Sequence, residues 1–299
     1  MGGCLSASTY FLYGDISQTS SAQAAYFAAL LANIVGVYWA MRSLKDSVFA
    51  TLVGLEQQPL AKMLSLIVVT ALLFVYNKVV DLVPRHQLFA VLCGGYALLF
   101  GTIAALLAST TYGLYDESGA ALPASPTRYL GWVHYFAIES YGSLAVSLFW
   151  QYVNSQLDLK QAKGTYGIIT AGGQIGAIVG STLVTGSKRF GVPQLYGVGA
   201  IFTAVPPLIM LSYLRRFPDA KAEGAALVAP TAPSAAAKSV RPGLLEGLRL
   251  LIRHPYVLGI FGISALFEVI ATILDYQMKV LGKARHASTA DFAAFMGFF

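Results

Sequence analysis

The sequence has little charge: only 11% of its 299 residues are Asp, Glu, Lys or Arg. A soluble domain carries about 25% and needs them for its hydrated shell. Hydrophobic residues make up 56% of the chain, and the mean hydropathy is +0.63. A bilayer removes the need for a charged coat, because lipid replaces water around the apolar surface. Cysteine is nearly absent. Cys4 and Cys93 have no ligand spacing and form no disulfide framework. Lys and Arg are missing from the first 24 residues, which argues against a signal-peptide n-region and an Arg-rich transit peptide. There is no Asn-x-Ser/Thr acceptor, no nucleophile constellation and no metal cluster in the sequence, so no cofactor is expected. The net charge of +6 does not indicate nucleic acid, because the basic residues are scattered between apolar runs and read as loop charges facing headgroups.

What is present is a series of apolar stretches. They predict membrane-spanning helices over Ala25–Ala50, Met63–Asn77, Leu88–Ala108, Leu130–Val153, Thr165–Thr185, Gln194–Leu214 and Tyr256–Val280. The expected fold is an all-α polytopic membrane protein. Its expected organisation is an N-terminal cytoplasmic tail (1–24), a first six-helix transmembrane half (25–214), a cytoplasmic Ala/Pro-rich linker (215–254) and the beginning of a second half (255–299). The linker and its flank carry Arg215, Arg216, Lys221, Lys238, Arg241, Arg249 and Arg253. The positive-inside rule places them in the cytoplasm, and with them the N-terminus. Within the linker, Gly243 to Arg253 reads as a short amphipathic interfacial helix. Phe292 to Phe299 reads as the start of an eighth span, so the chain is expected to be a fragment. Six spans, a basic linker and further spans is the layout of transporters built from two helical halves. The loop Asn77 to Arg85 resembles, through Asp81 and Arg85, a degenerate form of the acidic-basic loop of the major facilitator superfamily.

The N-terminal Met1-Gly2-Gly3-Cys4-Leu5-Ser6 fits an N-myristoylation pattern at Gly2, with Cys4 placed for a second acyl chain. Chance is the competing reading of so short a motif. Gly172, Gly176 and Gly180 lie four apart in the fifth span. No strand precedes them and no Gly-Lys-Ser follows, so helix packing explains them better than a phosphate loop. His134 reads as a lining or packing residue.

Ionisable groups inside the spans are the candidates for function, because each is costly in lipid. Arg42 and Asp46 are four apart and can share a helix face. Lys45 points to a neighbouring face, where a free ammonium in a cavity suits a phosphate-bearing substrate. Glu139 has no charged residue within ten positions on either side, so it must face a cavity or a cation on another helix. Asp275 and Lys279 are again four apart, with Glu268 on roughly the same stripe. A span boundary misplaced by a turn, leaving the charge among headgroups, is the competing reading for each.

Several segments in order carry a resemblance. Arg42-Ser43-Leu44-Lys45-Asp46 is similar to an Arg-x-x-Lys-Asp motif. Glu139-Ser140-Tyr141-Gly142-Ser143 and Phe149-Trp150 through Asn154 resemble Glu-Leu-Trp-Gly-Ser and Phe-Trp-x-x-x-Asn. Ala162-Lys163-Gly164-Thr165-Tyr166-Gly167 follows at the expected place. Asp275-Tyr276-Gln277-Met278-Lys279 and Phe292 to Gly297 resemble Glu-x-x-x-Lys and Tyr-Ser-Ala-Phe-Met-Gly. The chain so resembles the ATP/ADP translocase family of plastids and intracellular bacteria, a distant branch of the major facilitator superfamily. The resemblance implies a facilitator-like bundle, ATP and ADP as substrates, and Lys45, Glu139 and Asp275 in the transport pathway. Arg42, Asp46, Asn154 and Lys279 are assigned to that pathway with them. The departures bear on substrate: Asp275 stands for Glu, Ser140 and Tyr141 for Leu and Trp, and Gly164 for Arg. A facilitator for another anion, such as phosphate or an organic acid, is the alternative, and a seven-span receptor or scaffold the more distant one. The expected partners are therefore nucleotide, membrane lipid and the remaining second-half helices, with no nucleic acid.

Overall fold

In a bilayer every backbone N–H and C=O must be satisfied internally, which leaves the helix as the available form for long apolar segments. The computed structural model describes residues 18–218, 251, 253–286 and 288–298. Gly2, Cys4, most of the linker and most of its expected amphipathic helix lie outside the described residues. Helix α1 is Gln18–Leu52, followed by a 3-10 turn at Leu55–Gln57. α2 is Gln58–Leu82, α3 Arg85–Ala108, α4 Tyr129–Gln156 and α5 Leu159–Thr185. The short α6 is Ser187–Phe190, α7 Val192–Thr203 and α8 Val205–Arg216. α9 is Pro255–Arg285 and α10 Thr289–Gly297. The chain divides into two units, one taking the residues up to Ala229 together with His286–Phe299, the other Pro230–Arg285. α9 belongs to the second and α10 to the first.

Six spans among the described residues are long and apolar enough to cross a membrane. The expected fourth span is not one of them, although α4 has 28 residues and a length of about 42 Å at 1.5 Å per residue. Polar side chains at His134, Glu139, Ser140, Ser143, Ser147, Gln151 and Asn154 lower its hydropathy. α4 does not need a lipid-compatible surface all round, because it packs against α1, α2 and α3 and buries half of its residues, from Gly131 to Val153. The expected sixth span is matched by Val192–Arg216, long and apolar enough to cross, with its helix interrupted at one residue. It is divided at Ala204 into α7 and α8, and Pro206 and Pro207 follow in the first turn of α8. Proline removes a backbone donor and clashes with the preceding turn, so a helix restarts there rather than running through.

α1 is central, packing against α4, α5, α7 and α8. Its closest neighbour is α5, and small residues on both sides allow it. A Cβ added at Gly172 would stand 2.7 Å from the Ala28 carbonyl oxygen, one at Gly176 2.0 Å from that of Ala32, and one at Gly180 2.0 Å from that of Gly36. The three glycines thus face Ala28, Ala32 and Gly36 across a backbone-to-backbone contact. Replacing Gly176 by valine is expected to destabilise the bundle by about 3 kcal/mol, because backbone cannot move aside as a side chain can. Gly95 has open space where its Cβ would stand, so Gly95→Ala is expected to stay within about 0.5 kcal/mol of wild type. Thermal unfolding of the two variants in detergent compares them directly.

At one end of the bundle α1 and α4 meet in a tight corner, where a Cβ at Gly131 would lie 3.2 Å from that of Leu52. The Ser109–Arg128 loop closes over this end. Ser125 N–H donates to the Leu52 carbonyl at 3.0 Å, and Arg128 donates to the carbonyls of Tyr112 and Gly113. Inside the loop, hydrogen bonds to Asp116 from the Ser118 hydroxyl and the Ala120 and Ser118 amides hold its carboxyl below the usual range. The Asp81 and Arg85 side chains, which carry the facilitator-like loop match, lie outside the described residues.

Candidate functional site

The charged residues of α1 sit near its C-terminal end. Lys45 is seven residues, about 10 Å, from Leu52. Its ammonium donates to Glu139 of α4, forming an ion pair between two helices. The Lys45 side chain is only 4% exposed, whereas Glu139 keeps 28% of its surface open, so the pair is approached from the Glu139 side. Sequence reasoning left Lys45 without a local partner, but the neighbouring Asp46 carboxylate interacts with its charge; the hydrogen-bonded partner is distant. The partner comes from 94 positions away, on the helix where Glu139 called for a cation.

The rest of the site grows from the same two helices. Tyr135 precedes Glu139 by one helical turn, and its ring lies under the Lys45 ammonium, 4.2 Å from Nζ to centroid. Asp46, also buried, accepts a hydrogen bond from the Gln58 amide at 2.7 Å. Gln58 is the first residue of α2, delivered there by the turn through Gly54, whose φ of 111° suits glycine. Arg42, half-buried and one turn before Asp46, stacks over the Trp39 ring at 5.0 Å. His134 is fully buried. It shares a hydrogen bond with the Tyr196 hydroxyl of α7 and lies 3.4 Å from the Gly131 carbonyl, a packing role as its sequence position suggested. Gln58, Tyr135 and Tyr196 were not singled out from the sequence. Tyr135 could have been found, since the i, i+4 relation to Glu139 places both on one face.

Other expected site residues are elsewhere. Asn154 is exposed near the far end of α4, fifteen residues or about 22 Å from Glu139, and its side-chain oxygen accepts from the Tyr166 hydroxyl. On α9, Lys279 donates to Asp275 at 2.6 Å, one turn apart as their spacing predicted. An apolar cleft of about 480 Å³ between α2, α3 and α4 contains none of these charges; its polar feature is the Tyr96–Ser140 hydrogen bond of 2.7 Å.

α10 is fastened to the end of the bundle nearest Lys45. Ser288 caps it, accepting from Asp291 N–H at 3.0 Å. The Thr51 and Thr289 hydroxyls share a buried hydrogen bond of 2.8 Å, and Ser187 donates to the Ala290 carbonyl at 2.7 Å. Lys188 pairs with Asp291 at the surface. Gly297 lies so close to α5 that a Cβ there would stand 2.8 Å from the Ser181 carbonyl.

Apolar spans, a less apolar helix packed among them, and an ion pair between two helices define a multi-pass α-helical membrane protein. Residues 11–299 match the family described as TLC ATP/ADP transporter, and the chain belongs to that family. It is 24% identical over 307 residues to ADP,ATP carrier protein 3 of Rickettsia felis, covering 91% of this chain and 60% of the relative. It is 24% identical over 296 residues to ADP,ATP carrier protein 1 of Chlamydia muridarum, covering 88% and 54%. The chain thus spans little more than half the length of these relatives. No solved structure matches it.

Proposed function

We propose that the protein exchanges nucleotides across a membrane, ATP for ADP, by alternating access, and that Lys45 receives the phosphates. The observation that carries this reading is the Lys45–Glu139 pair. A lysine held by a carboxylate on a different helix is neutralised while the site is empty, and a polyphosphate can take the carboxylate's place. Family membership and the names of the relatives supply the nucleotide. Arg42 adds positive charge for the remaining phosphate oxygens and Asp46 orients the α1 cluster, while Asp275 and Lys279 form a pair of their own on α9. Asn154 marks the opposite mouth of the same pathway.

The basic linker argues for a cytoplasmic N-terminus. On that topology the Leu52 end of α1 faces away from the cytoplasm. The Thr51–Thr289 contact then closes the far side while the site is reached from the cytoplasm. α10, which follows α9 in the second half, must part from α1 for the site to be exposed on the other side.

The test is uptake of labelled ATP by the purified protein in liposomes loaded with ADP, with phosphate or with buffer. Rapid uptake with internal ADP, at least tenfold above the other two, is expected. Uptake driven equally by internal phosphate would favour the other-anion reading, and uptake indifferent to the internal solute would refute exchange.

A further inference from the structure

The geometry assigns Tyr135 as a positioning residue for Lys45: its ring holds the ammonium in place when Glu139 yields to the substrate's phosphates. The inference rests on the reading of Lys45 as the phosphate site and adds to it a residue that the charge pattern does not show.

A lysine on a flexible four-carbon stem makes a poor fixed anchor, since releasing its carboxylate frees several rotatable bonds. An exchange cycle needs the ammonium kept in place after the carboxylate has left; Asp46, beside Lys45 on α1, supplies favourable charge, and a contact from α4 must fix the position. Tyr135 has the placement for this. Its ring faces Nζ at 4.2 Å, on the same helix as Glu139 and one turn earlier. The ring is itself fixed: it is 2% exposed, and Phe49 packs against it with centroids 5.1 Å apart. Phe49 is held in turn by Trp132, edge to face at 5.5 Å. A desolvated ammonium over an aromatic face is attracted through the ring's quadrupole. The attraction leaves the N–H donors away from the ring available to phosphate oxygens, which a second carboxylate would not.

A graded series tests the electrostatics without changing the shape. Tyr135→Phe is expected to keep ATP affinity within about threefold, because the π-face remains. Mono-, di- and trifluorophenylalanine at position 135 withdraw density from the ring while filling the same space, and the dissociation constant should rise stepwise to about tenfold at trifluorophenylalanine. The change should appear in KM for ATP, with the maximal exchange rate moving less than twofold. Affinity that stays flat across the series would overturn the proposal, since a purely structural ring is indifferent to its π-density. A second readout needs no nucleotide. In a Glu139→Gln background the ring is the ammonium's remaining partner on α4, so the fluorinated series should lower the thermal midpoint more steeply there than in the wild type. Additive shifts in the two backgrounds would overturn Tyr135's role even if nucleotides are exchanged. Steeper shifts together with no nucleotide exchange by the wild-type protein would uphold the contact and refute the substrate.

Discussion

Lys45→Ala is expected to lower ATP/ADP exchange at least 100-fold, and the loss should persist when the protein's stability is restored. Removing one partner of a buried pair leaves an uncompensated charge, which costs about 3–5 kcal/mol in general. Glu139 is partly open, so the lower figure applies, but thermal unfolding in detergent should still show clear destabilisation of Lys45→Ala alone. Lys45→Ala combined with Glu139→Gln removes both charges and should recover most of that stability. It should recover none of the exchange, because the phosphates still have no ammonium. Lys45→Arg is expected to be intermediate. It keeps the charge but spreads it over a planar fork that does not sit over the Tyr135 face as a point charge does. If the double variant regained transport along with stability, Lys45 would be a structural residue only.

A disulfide between positions 51 and 289 is expected to stop exchange completely and reversibly. The Thr51 and Thr289 hydroxyl oxygens are 2.8 Å apart. Sulfurs in their place need only a small closure to reach the 2.0 Å or so of a disulfide bond. With Cys4→Ser and Cys93→Ala removing the native thiols, Thr51→Cys/Thr289→Cys should exchange nucleotide when reduced. It should lose about 95% of the rate or more after mild oxidation, in proportion to the cross-link found by mass spectrometry. Reduction should restore the rate. In alternating access α10 must leave α1 in every cycle. The surface pair Lys188–Asp291 is a weaker part of the same contact, exposed by 64% and 34%, and its removal should cost less than about 1 kcal/mol. A fully cross-linked protein that exchanges at the reduced rate would show that this end never opens.

Much of the fold was legible because lipid imposes one rule on every span. A run such as Leu88–Ala108 must be a helix, and it is one, Arg85–Ala108. The rule failed where a segment meets protein instead of lipid. α4 is less apolar than the other spans because half of its residues, from Gly131 to Val153, are buried against protein. The break at Ala204 was written in Pro206-Pro207, but apolar content masks it. The spacing of Gly172, Gly176 and Gly180 announced a close contact. It did not say with whom, because Ala28, Ala32 and Gly36 are unremarkable in an alanine-rich span. At the site, the cost of a charge in a membrane picked out Lys45 and Glu139 separately. Their pairing is a contact across 94 residues, which no local pattern encodes. Tyr135 and Gln58 carry no charge and so raised no alarm, although both touch residues that did.

Glu139 and the substrate's phosphates compete for one ammonium in the proposed exchange. Isothermal titration of ATP into the detergent-purified protein tests this competition most directly. Glu139→Gln frees Lys45 from its competitor, so ATP should bind about tenfold tighter than to wild type, while Lys45→Ala should weaken binding by tenfold or more. Effects of opposite sign from the two halves of a single ion pair are the predicted result. If Glu139→Gln weakens ATP binding as Lys45→Ala does, the pair is a strut of the bundle and the competition does not occur.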